Sequence, residues 1–116
     1  MKQTEIWLIN LDPTIGSEIN KTRPGIIIND DNLGILPLKI IVPITDWKEK
    51  FANSPWMVKI SPNSINNLNK LSTADCFQIR SISNERLVRK IGIINETELF
   101  KIKIGISKVL NINTFL

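Results

Sequence analysis

The sequence of 116 residues contains no histidine and no tyrosine, and it has a single cysteine, Cys76. Without histidine, the chain cannot form a Ser-His-Asp or Cys-His nucleophile, an imidazole acid–base pair or a histidine-based metal cage. One cysteine also excludes an internal disulfide and a thiolate zinc site, and no cluster of carboxylates suggests a magnesium site. We therefore predict that the protein uses no metal and no cofactor. Any catalysis would depend on Arg, Lys, Asp, Glu, Thr, Ser or Gln side chains.

The sequence has no apolar run of 18 residues, and its first residues, MKQTEIWLIN, lack the hydrophobic region of a signal peptide. We therefore predict a cytoplasmic protein without a membrane anchor. Cys76 fits this prediction as a small buried hydrophobe in a reducing compartment.

The net charge of +4 comes entirely from the C-terminal third of the chain. Residues 80–116 contain seven Lys or Arg and three Glu, whereas residues 1–79 contain eight of each sign. This basic segment is compatible with an anionic partner and equally with a solvated surface.

Six short apolar runs with alternating or β-branched residues predict strands. They cover residues 5–10, 23–29, 38–44, 56–60, 75–82 and 86–94. The turn residues of NDDNLG (29–34) predict a hairpin, and SPNSINNLNK (61–70) predicts a longer polar loop. A chain of this length and 42% apolar composition can bury one core. The pattern predicts a single mainly-β domain over residues 1–116, either a small β-barrel or a sandwich.

The C-terminal segment fits two patterns. Phe100, Ile102, Ile104 and Ile106 alternate with polar residues or glycine, as in a strand, but several apolar residues also share one helical face. Asn95, followed three residues later by Glu98, has the form of a capping box. This start signal favours a helix over about residues 96–112, which could close one end of a barrel.

The connection between the first two predicted strands is unusually long. It includes NLDPTIGSEINKTRP and spans about a dozen residues, where two to five are usual. Pro24 forces Arg23 into an extended backbone where the loop becomes a strand. The Arg23 guanidinium could then bind two phosphate oxygens. Alternatively, Arg23 could form a salt bridge with Glu18 or Asp12 that holds the loop.

Two further segments carry polar side chains at candidate positions. In VPITDW (42–47), the Thr45 hydroxyl could donate to a phosphate or cap the following turn, and Trp47 could stack on a nucleobase or serve as a buried anchor. In DCFQIRSI (75–82), an alternating strand would place Gln78 and Arg80 on the face opposite Asp75, suited to base edges and phosphates. The alternative for this pair is a solvated polar face.

In their order and spacing, these segments resemble the MazF/PemK family of toxin endoribonucleases. The resemblance runs from residue 5 to about residue 110 and rests on IWLINLDPTIGSEINKTRPGIII, PIT with a following Trp, PWMVKI, DCFQIRSI and RLVRKIG. It implies an SH3-like or CcdB-like small β-barrel with a C-terminal helix, acting as a homodimer with RNA bound across the subunit interface. It also implies sequence-specific, metal-independent cleavage of single-stranded RNA and neutralisation by a small antitoxin whose disordered segment occupies the RNA groove.

The resemblance implies roles for individual residues. Arg23 and Thr45 match the essential arginine and threonine of the family, Asp12, Ser17 and Glu18 match loop positions that line the RNA site, and Gln78 and Arg80 match positions that contact RNA. To these we add Lys21 and Trp47 as RNA-binding residues. Some relatives use an Asp or a His in catalysis, and the matching positions here hold Phe77 and Glu18, so the general base stays open.

A metal-free mechanism can use the substrate's own 2′-OH as the nucleophile, leaving a 2′,3′-cyclic phosphate and a 5′-OH. Arg23 and Thr45 would stabilise the charge that develops on the phosphate. Glu18 would serve as the base if it is partly buried. Arg23 itself is the other candidate base, although a guanidinium gives up its proton at high cost.

Two other functions compete with this one. A CcdB-like toxin that poisons gyrase depends on C-terminal residues of the Trp-Gly-Ile type, whereas this sequence ends in NINTFL. An SH3-like module that binds RNA or protein without chemistry would keep its binding when Arg23 is removed.

Overall fold

Strands predominate in the computed structural model, which describes residues 1–113. The strands are β1 (Glu5–Asn10), β2 (Thr22–Ile27), β3 (Leu38–Asp46), β4 (Met57–Ile60), β5 (Ser72–Asp75), β6 (Arg80–Ser83) and β7 (Leu87–Ile93). The α-helix α1 (Glu96–Leu110) follows them, and short 3₁₀ turns lie at Asp31–Leu33, Glu49–Asn53, Cys76–Gln78 and Asn84–Arg86. The prediction of a mainly-β fold with a C-terminal helix is confirmed.

All the strand pairs are antiparallel, and the strands follow the order β4-β5-β3-β2-β1-β7. β3 is paired along both edges, by β2 on one edge and by β6 and then β5 on the other. The sheet curls into a barrel-like shape without closing, since no pairing joins β4 to β7 within residues 1–113. The predicted barrel is therefore an open one.

The run DCFQIRSI is not one strand, as the sequence pattern predicted. β5 ends at Asp75, Cys76–Gln78 form a 3₁₀ turn, and β6 begins at Arg80. Both strands pair with β3, and four residues, the turn and Ile79, lie between them. The Asp75 carboxylate accepts the Phe77 amide and so caps the turn, while Cys76 points into the core against α1. The predicted alternation of faces from Asp75 to Arg80 is therefore wrong.

The main core lies between the sheet and α1. It contains apolar side chains from β1 to β5, the 3₁₀ turn after β5, the segment before the helix and α1: Ile6, Ile26, Val42, Ile44, Val58, Ile60, Ala74, Cys76, Ile94, Leu99 and Ile102. The predicted capping box is present, because the Asn95 side chain accepts the Glu98 amide and Glu98 accepts the Asn95 amide. The helix ends at Leu110, two residues earlier than predicted, because Asn111 adopts the left-handed conformation that asparagine tolerates.

A second, smaller core lies on the sheet face that the long β1–β2 connection covers. It consists of Ile9, Leu11, Ile27, Ile41, Ile82 and Leu87, with Trp7 and Ile19 packed against it. Leu11 and Ile19 belong to the connection itself. The long loop is therefore folded onto the sheet by its own apolar residues.

No helix within the described part of the chain is long and apolar enough to cross a membrane. The predicted single domain covers residues 1–116, and the terminal sequence NINTFL ends at residue 116. Residues 114–116 of both lie outside the described residues.

Glu5 joins the N-terminus to the edge strand β7. Its carboxylate accepts hydrogen bonds from Trp7 Nε1 and the Lys2 amide and forms ion pairs with the N-terminal ammonium and Lys90. Burial alone would raise the pKa of Glu5, but these hydrogen bonds together lower it to about 2.

We expect Glu5→Gln to lower the free energy of unfolding at pH 7 by about 1–2 kcal/mol. A lowered pKa stabilises the folded state fully above the usual value of 4.5, and this stabilisation is lost as the pH falls to about 2. Urea unfolding of both proteins from pH 7 to pH 2 measures the difference. A difference that stays constant across this range would contradict the assignment.

Candidate functional site

The loop of residues 11–21 is closed at its base by hydrogen bonds between its two ends. The Leu11 amide donates to the Lys21 carbonyl at 2.9 Å, and the Lys21 amide donates to Asp12 Oδ1 at 3.0 Å. The Asp12 carboxylate also accepts the Thr14 hydroxyl. Asp12 therefore shapes the base of the loop in the free protein, and the exposed Lys21 lies there in a left-handed conformation.

Three side chains from outside the loop hold its backbone. Gln78 accepts the Ile19 amide at 2.6 Å and donates to the Ser17 carbonyl at 3.3 Å. Arg80 donates to the Leu11 carbonyl at 3.4 Å. Arg86 donates to the carbonyls of Asn10 and Asp12. These contacts fix the loop through its backbone and leave several of its side chains facing solvent.

Glu18 lies at the outer end of this loop and is exposed. Its Oε1 accepts the Ile15 amide at 2.6 Å, which closes a tight turn over residues 15–18. The partial burial that the sequence-based argument required of a general base is not found.

Arg23 and Thr45 lie on the same face of neighbouring strands. The β2–β3 ladder ends where Gly25 lies opposite Pro43, and Arg23 and Thr45 each lie two residues beyond that pair, so both share its face of the sheet. Arg80, opposite Ile41 on β3, shares that face. The face is the one that the loop covers.

Arg23 is exposed, and its Nε donates to the Asn20 carbonyl at 3.3 Å. Within residues 1–113 it forms no salt bridge with Glu18 or Asp12, so the predicted alternative of a loop-holding ion pair is not found. The terminal nitrogens of the guanidinium have no hydrogen-bond partner in that part of the chain. They are free to bind an anion.

Thr45 is half-buried and lies inside β3, one residue before its end. The next turn begins with Lys48 and has no side-chain cap, so Thr45 does not cap it. Thr73 of β5 lies opposite Thr45, and Lys59 of β4 lies opposite Thr73. A row of polar side chains therefore crosses four strands, from Arg23 to Lys59.

Trp47 lies at the end of this row. Its ring faces Lys59 Nζ at 5.0 Å and meets the Phe51 ring edge-on at 6.0 Å, and its Nε1 donates to Glu49. Lys59 was not predicted as a site residue. The signal in the sequence is a lysine between two apolar residues of the strand MVKI, and in the structure Lys59 is exposed between the buried Val58 and Ile60.

A cavity of about 490 Å³ lies between the loop and the turn after β5. Its lining includes four predicted residues and three others, namely Ser17, Glu18, Gln78 and Arg80 with Ile15, Phe77 and Ile79. Phe77 is 61% exposed and meets the Trp56 ring edge-on at 5.7 Å. Arg23 and Thr45 are not among the lining residues. The candidate site thus has two parts, the polar row and the cavity.

Asp75 and Cys76 are the buried titratable groups beside this cavity. Burial raises the pKa of Asp75, against hydrogen bonds from the Phe77 amide and from the backbone and side chain of Gln78. Burial and the neighbouring Asp75 raise the pKa of the Cys76 thiol to about 12. Cys76 is therefore an inert core residue, as predicted. Within residues 1–113 no cluster of His, Cys, Asp or Glu could hold a metal ion.

Comparisons with known proteins agree on one family. Residues 2–110 match the family model described as PemK-like, MazF-like toxin of type II toxin-antitoxin system. The chain is 34% identical over 105 residues to endoribonuclease MazF9 of Mycobacterium tuberculosis, covering 85% of this chain and 86% of the relative. It is 30% identical over 116 residues to endoribonuclease MazF of Staphylococcus epidermidis, covering 99% and 95%.

Solved structures show the same fold at low sequence identity. MazF from Deinococcus radiodurans superposes with a TM-score of 0.79 at 17% identity, covering 97% of both chains. An endoribonuclease in complex with its cognate antitoxin from a mycobacterial species superposes with a TM-score of 0.76 at 13% identity, again covering 97% of both.

Arg86 provides a test of how the loop is held. We expect Arg86→Ala to raise the rate at which trypsin cleaves after Lys21 by about five- to thirtyfold, because the lost hydrogen bonds correspond to about 1–2 kcal/mol of local opening. Limited proteolysis with mass spectrometry measures this rate. Arg89→Ala, which removes an exposed neighbour on β7, is the matched control and should leave the rate unchanged. Equal rates in the two variants would show that Arg86 does not hold the loop.

Proposed function

We propose that this chain, which belongs to the PemK-like, MazF-like toxin family of type II toxin–antitoxin systems, is a cytoplasmic endoribonuclease that cleaves single-stranded RNA at short sequences without a metal ion. The observation that supports this function best is that Arg23 and Thr45 share the sheet face that the loop covers, together with Arg80, which also lines the cavity. The full-length similarity to relatives named endoribonuclease supports the same reaction.

In the proposed reaction the substrate's 2′-OH loses its proton and attacks the adjacent phosphorus. The new P–O2′ bond forms as the P–O5′ bond breaks, which leaves a 2′,3′-cyclic phosphate and a 5′-OH that takes up a proton. Negative charge concentrates on the phosphate oxygens in the transition state. The free guanidinium nitrogens of Arg23 would bind these oxygens, and the Thr45 hydroxyl would donate to one of them.

Glu18 is our candidate for the base that accepts the 2′-OH proton. The residue is exposed rather than partly buried, so the proposal rests on position: Glu18 lines the cavity, and the Ile15 amide donates to its Oε1 and orients the carboxylate. Arg23 is the weaker candidate, because a guanidinium keeps its proton throughout the physiological range. RNA binding would involve the side chains of Asp12, Ser17, Lys21, Trp47, Gln78 and Arg80.

We further propose a homodimer and a cognate antitoxin as protein partners. Exposed apolar side chains cluster before and along the first part of β3, at Leu33, Ile35, Leu36, Leu38 and Ile40. Such a patch is typical of a surface that is covered in the functional assembly. An endoribonuclease with the same fold has been solved in complex with its cognate antitoxin, which supports a cognate antitoxin as a partner of this chain.

Cleavage of a long, unstructured RNA in excess EDTA tests the function. The wild-type protein should produce discrete cuts with 5′-hydroxyl ends, mapped by primer extension. Arg23→Ala and Thr45→Val should each lower the cleavage rate by about a hundredfold or more, because each removes a group that stabilises the transition state. Arg89→Ala is the control for lost charge. Full activity in Arg23→Ala would exclude Arg23 from the mechanism, and cuts that require Mg²⁺ would exclude the proposed reaction.

Leu38→Asp tests the dimer surface. Leu38 is 48% exposed, so the substitution should not disturb the core, but it would place a carboxylate within the proposed interface. We expect a monomer by sedimentation velocity at concentrations where the wild-type protein is a dimer. Val88→Asp, which changes another exposed apolar residue on β7, should stay dimeric. A dimeric Leu38→Asp protein would place the interface elsewhere.

A further inference from the structure

Phe77 is an exposed aromatic residue that the mechanism above does not use. It lies in the 3₁₀ turn Cys76–Gln78 between β5 and β6, and it is 61% exposed. The first residue of this turn is buried, and Cys76 Sγ lies 3.6 Å from the Ile102 carbonyl oxygen of α1. The Cys76 amide also donates to the Trp56 carbonyl at 3.0 Å. The backbone beneath Phe77 is therefore fixed, while its side chain is open to solvent.

The Phe77 ring is held by a second aromatic ring. Trp56 meets it edge-on, with 5.7 Å between the ring centroids and an angle of 63° between the ring planes. Trp56 is itself packed against the main core, which restricts the orientation of the pair. An edge-on contact covers at most one face of the Phe77 ring. The other face is available for stacking, and a ligand that uses it immobilises little side-chain freedom.

Exposure alone does not identify a binding residue, because single apolar side chains are common on protein surfaces. Phe77 differs from them because it lines the cavity of about 490 Å³ between the loop and the turn. This volume lies within the range of sites that hold small organic ligands, roughly 300–1,000 Å³. Phe77 therefore gives an aromatic wall to a space that a nucleobase can enter.

The polar groups of the cavity suit a nucleotide better than an apolar ligand. Ser17 and Glu18 line it from the loop, and Arg80 lines it from β6. Arg80 also shares a face of the sheet with Arg23 and Thr45, so the cavity adjoins the polar row. An RNA strand that follows the polar row can therefore place one base in the cavity and a phosphate beside the Arg80 guanidinium.

Gln78, the neighbouring residue that the sequence suggested for reading base edges, is engaged elsewhere in the free protein. Its Oε1 accepts the Ile19 amide at 2.6 Å, and its Nε2 donates to the Ser17 carbonyl at 3.3 Å. These hydrogen bonds hold the loop wall of the cavity in place. Stacking on an aromatic ring is the other common way in which proteins bind an unpaired base, and Phe77 is exposed for it.

We propose that Phe77 forms a nucleobase-stacking subsite, in which one base of a single-stranded RNA enters the cavity and stacks on the open face of the ring. Arg80 binds a phosphate of the same strand, and Ser17 and Glu18 form the loop wall beside the base. The subsite deepens the proposed function and rests on it for the identity of the ligand as RNA. Stacking makes and breaks no covalent bond, so binding and cleavage can be tested separately.

Fluorescence anisotropy with a labelled oligonucleotide tests the subsite. The probe is a randomised single strand of 2′-O-methyl RNA, about 12 nucleotides long, which lacks the attacking hydroxyl and stays intact. We expect Phe77→Ala to weaken its binding about five- to a hundredfold, and Phe77→Trp, which keeps an aromatic face, to retain wild-type binding. Phe100→Ala, which removes an equally exposed phenylalanine from α1, is the matched control and should bind as the wild type does. Unchanged binding by a folded Phe77→Ala protein would overturn the proposal.

An abasic strand separates stacking from an indirect effect on the loop. A strand of the same length made of tetrahydrofuran abasic units keeps the phosphates but has no base that could stack. We expect the wild type and Phe77→Ala to bind this strand equally, so that the loss of affinity appears only when bases are present. An equal loss of affinity for both strands would show that Phe77 acts through the shape of the loop and would overturn the proposal.

The cleavage assay distinguishes failure of the subsite from failure of the proposed function. If both are correct, Phe77→Ala should raise KM by about the factor by which it weakens binding, with a smaller change in kcat. Cleavage with an unchanged KM in this variant would overturn the subsite and leave the endoribonuclease function standing. A wild-type protein that binds the intact strand through Phe77 but cuts no RNA would overturn the proposed function and support the subsite.

Discussion

The pairing of β3 along both of its edges is the constraint on which the candidate site depends. The β2 edge places Arg23 two residues beyond the Gly25–Pro43 pair, on the face that Thr45 shares, and the other edge aligns Thr73 and Arg80 with the same face. Because side chains alternate along a strand, one register determines all these positions together. A shift by one residue would turn Thr45 towards the main core and break up the polar row.

The long loop over this face is stabilised mainly by backbone hydrogen bonds and apolar contacts. Gln78, Arg80 and Arg86 bind its carbonyls and amides, while Leu11 and Ile19 pack on the second core. Within residues 1–113, the charged side chains near the loop therefore form no ion pairs with one another. An exposed Arg23 with free guanidinium nitrogens is the result, and it suits a protein whose proposed ligand is a polyanion.

Much of the fold was predictable because its signals are local. Alternating apolar residues identified the strands, and Asn95 with Glu98 marked the start of α1. The division of DCFQIRSI into two strands and a turn was not predictable from the alternation of apolar and polar residues. It depends on the packing of Cys76 against α1 and on the Asp75 side chain, which caps the turn. The first cause is a contact between segments distant in the chain, and the second is a local hydrogen bond of a side chain. A pattern of apolar residues reveals neither of them.

The sequence by itself determined which chemistry is available: without histidine or a second cysteine, catalysis must rely on arginine, hydroxyl and carboxylate groups. It also determined that Arg23 has an extended backbone near the start of a strand, because Pro24 restricts the residue that precedes it. Only the tertiary structure decided that Arg23 and Thr45 share one face of the sheet, that Gln78 holds the loop, and that Asp75 is buried behind it. Those relations join residues about 20 to 60 positions apart, and strand register and core packing, rather than local propensity, bring such residues together.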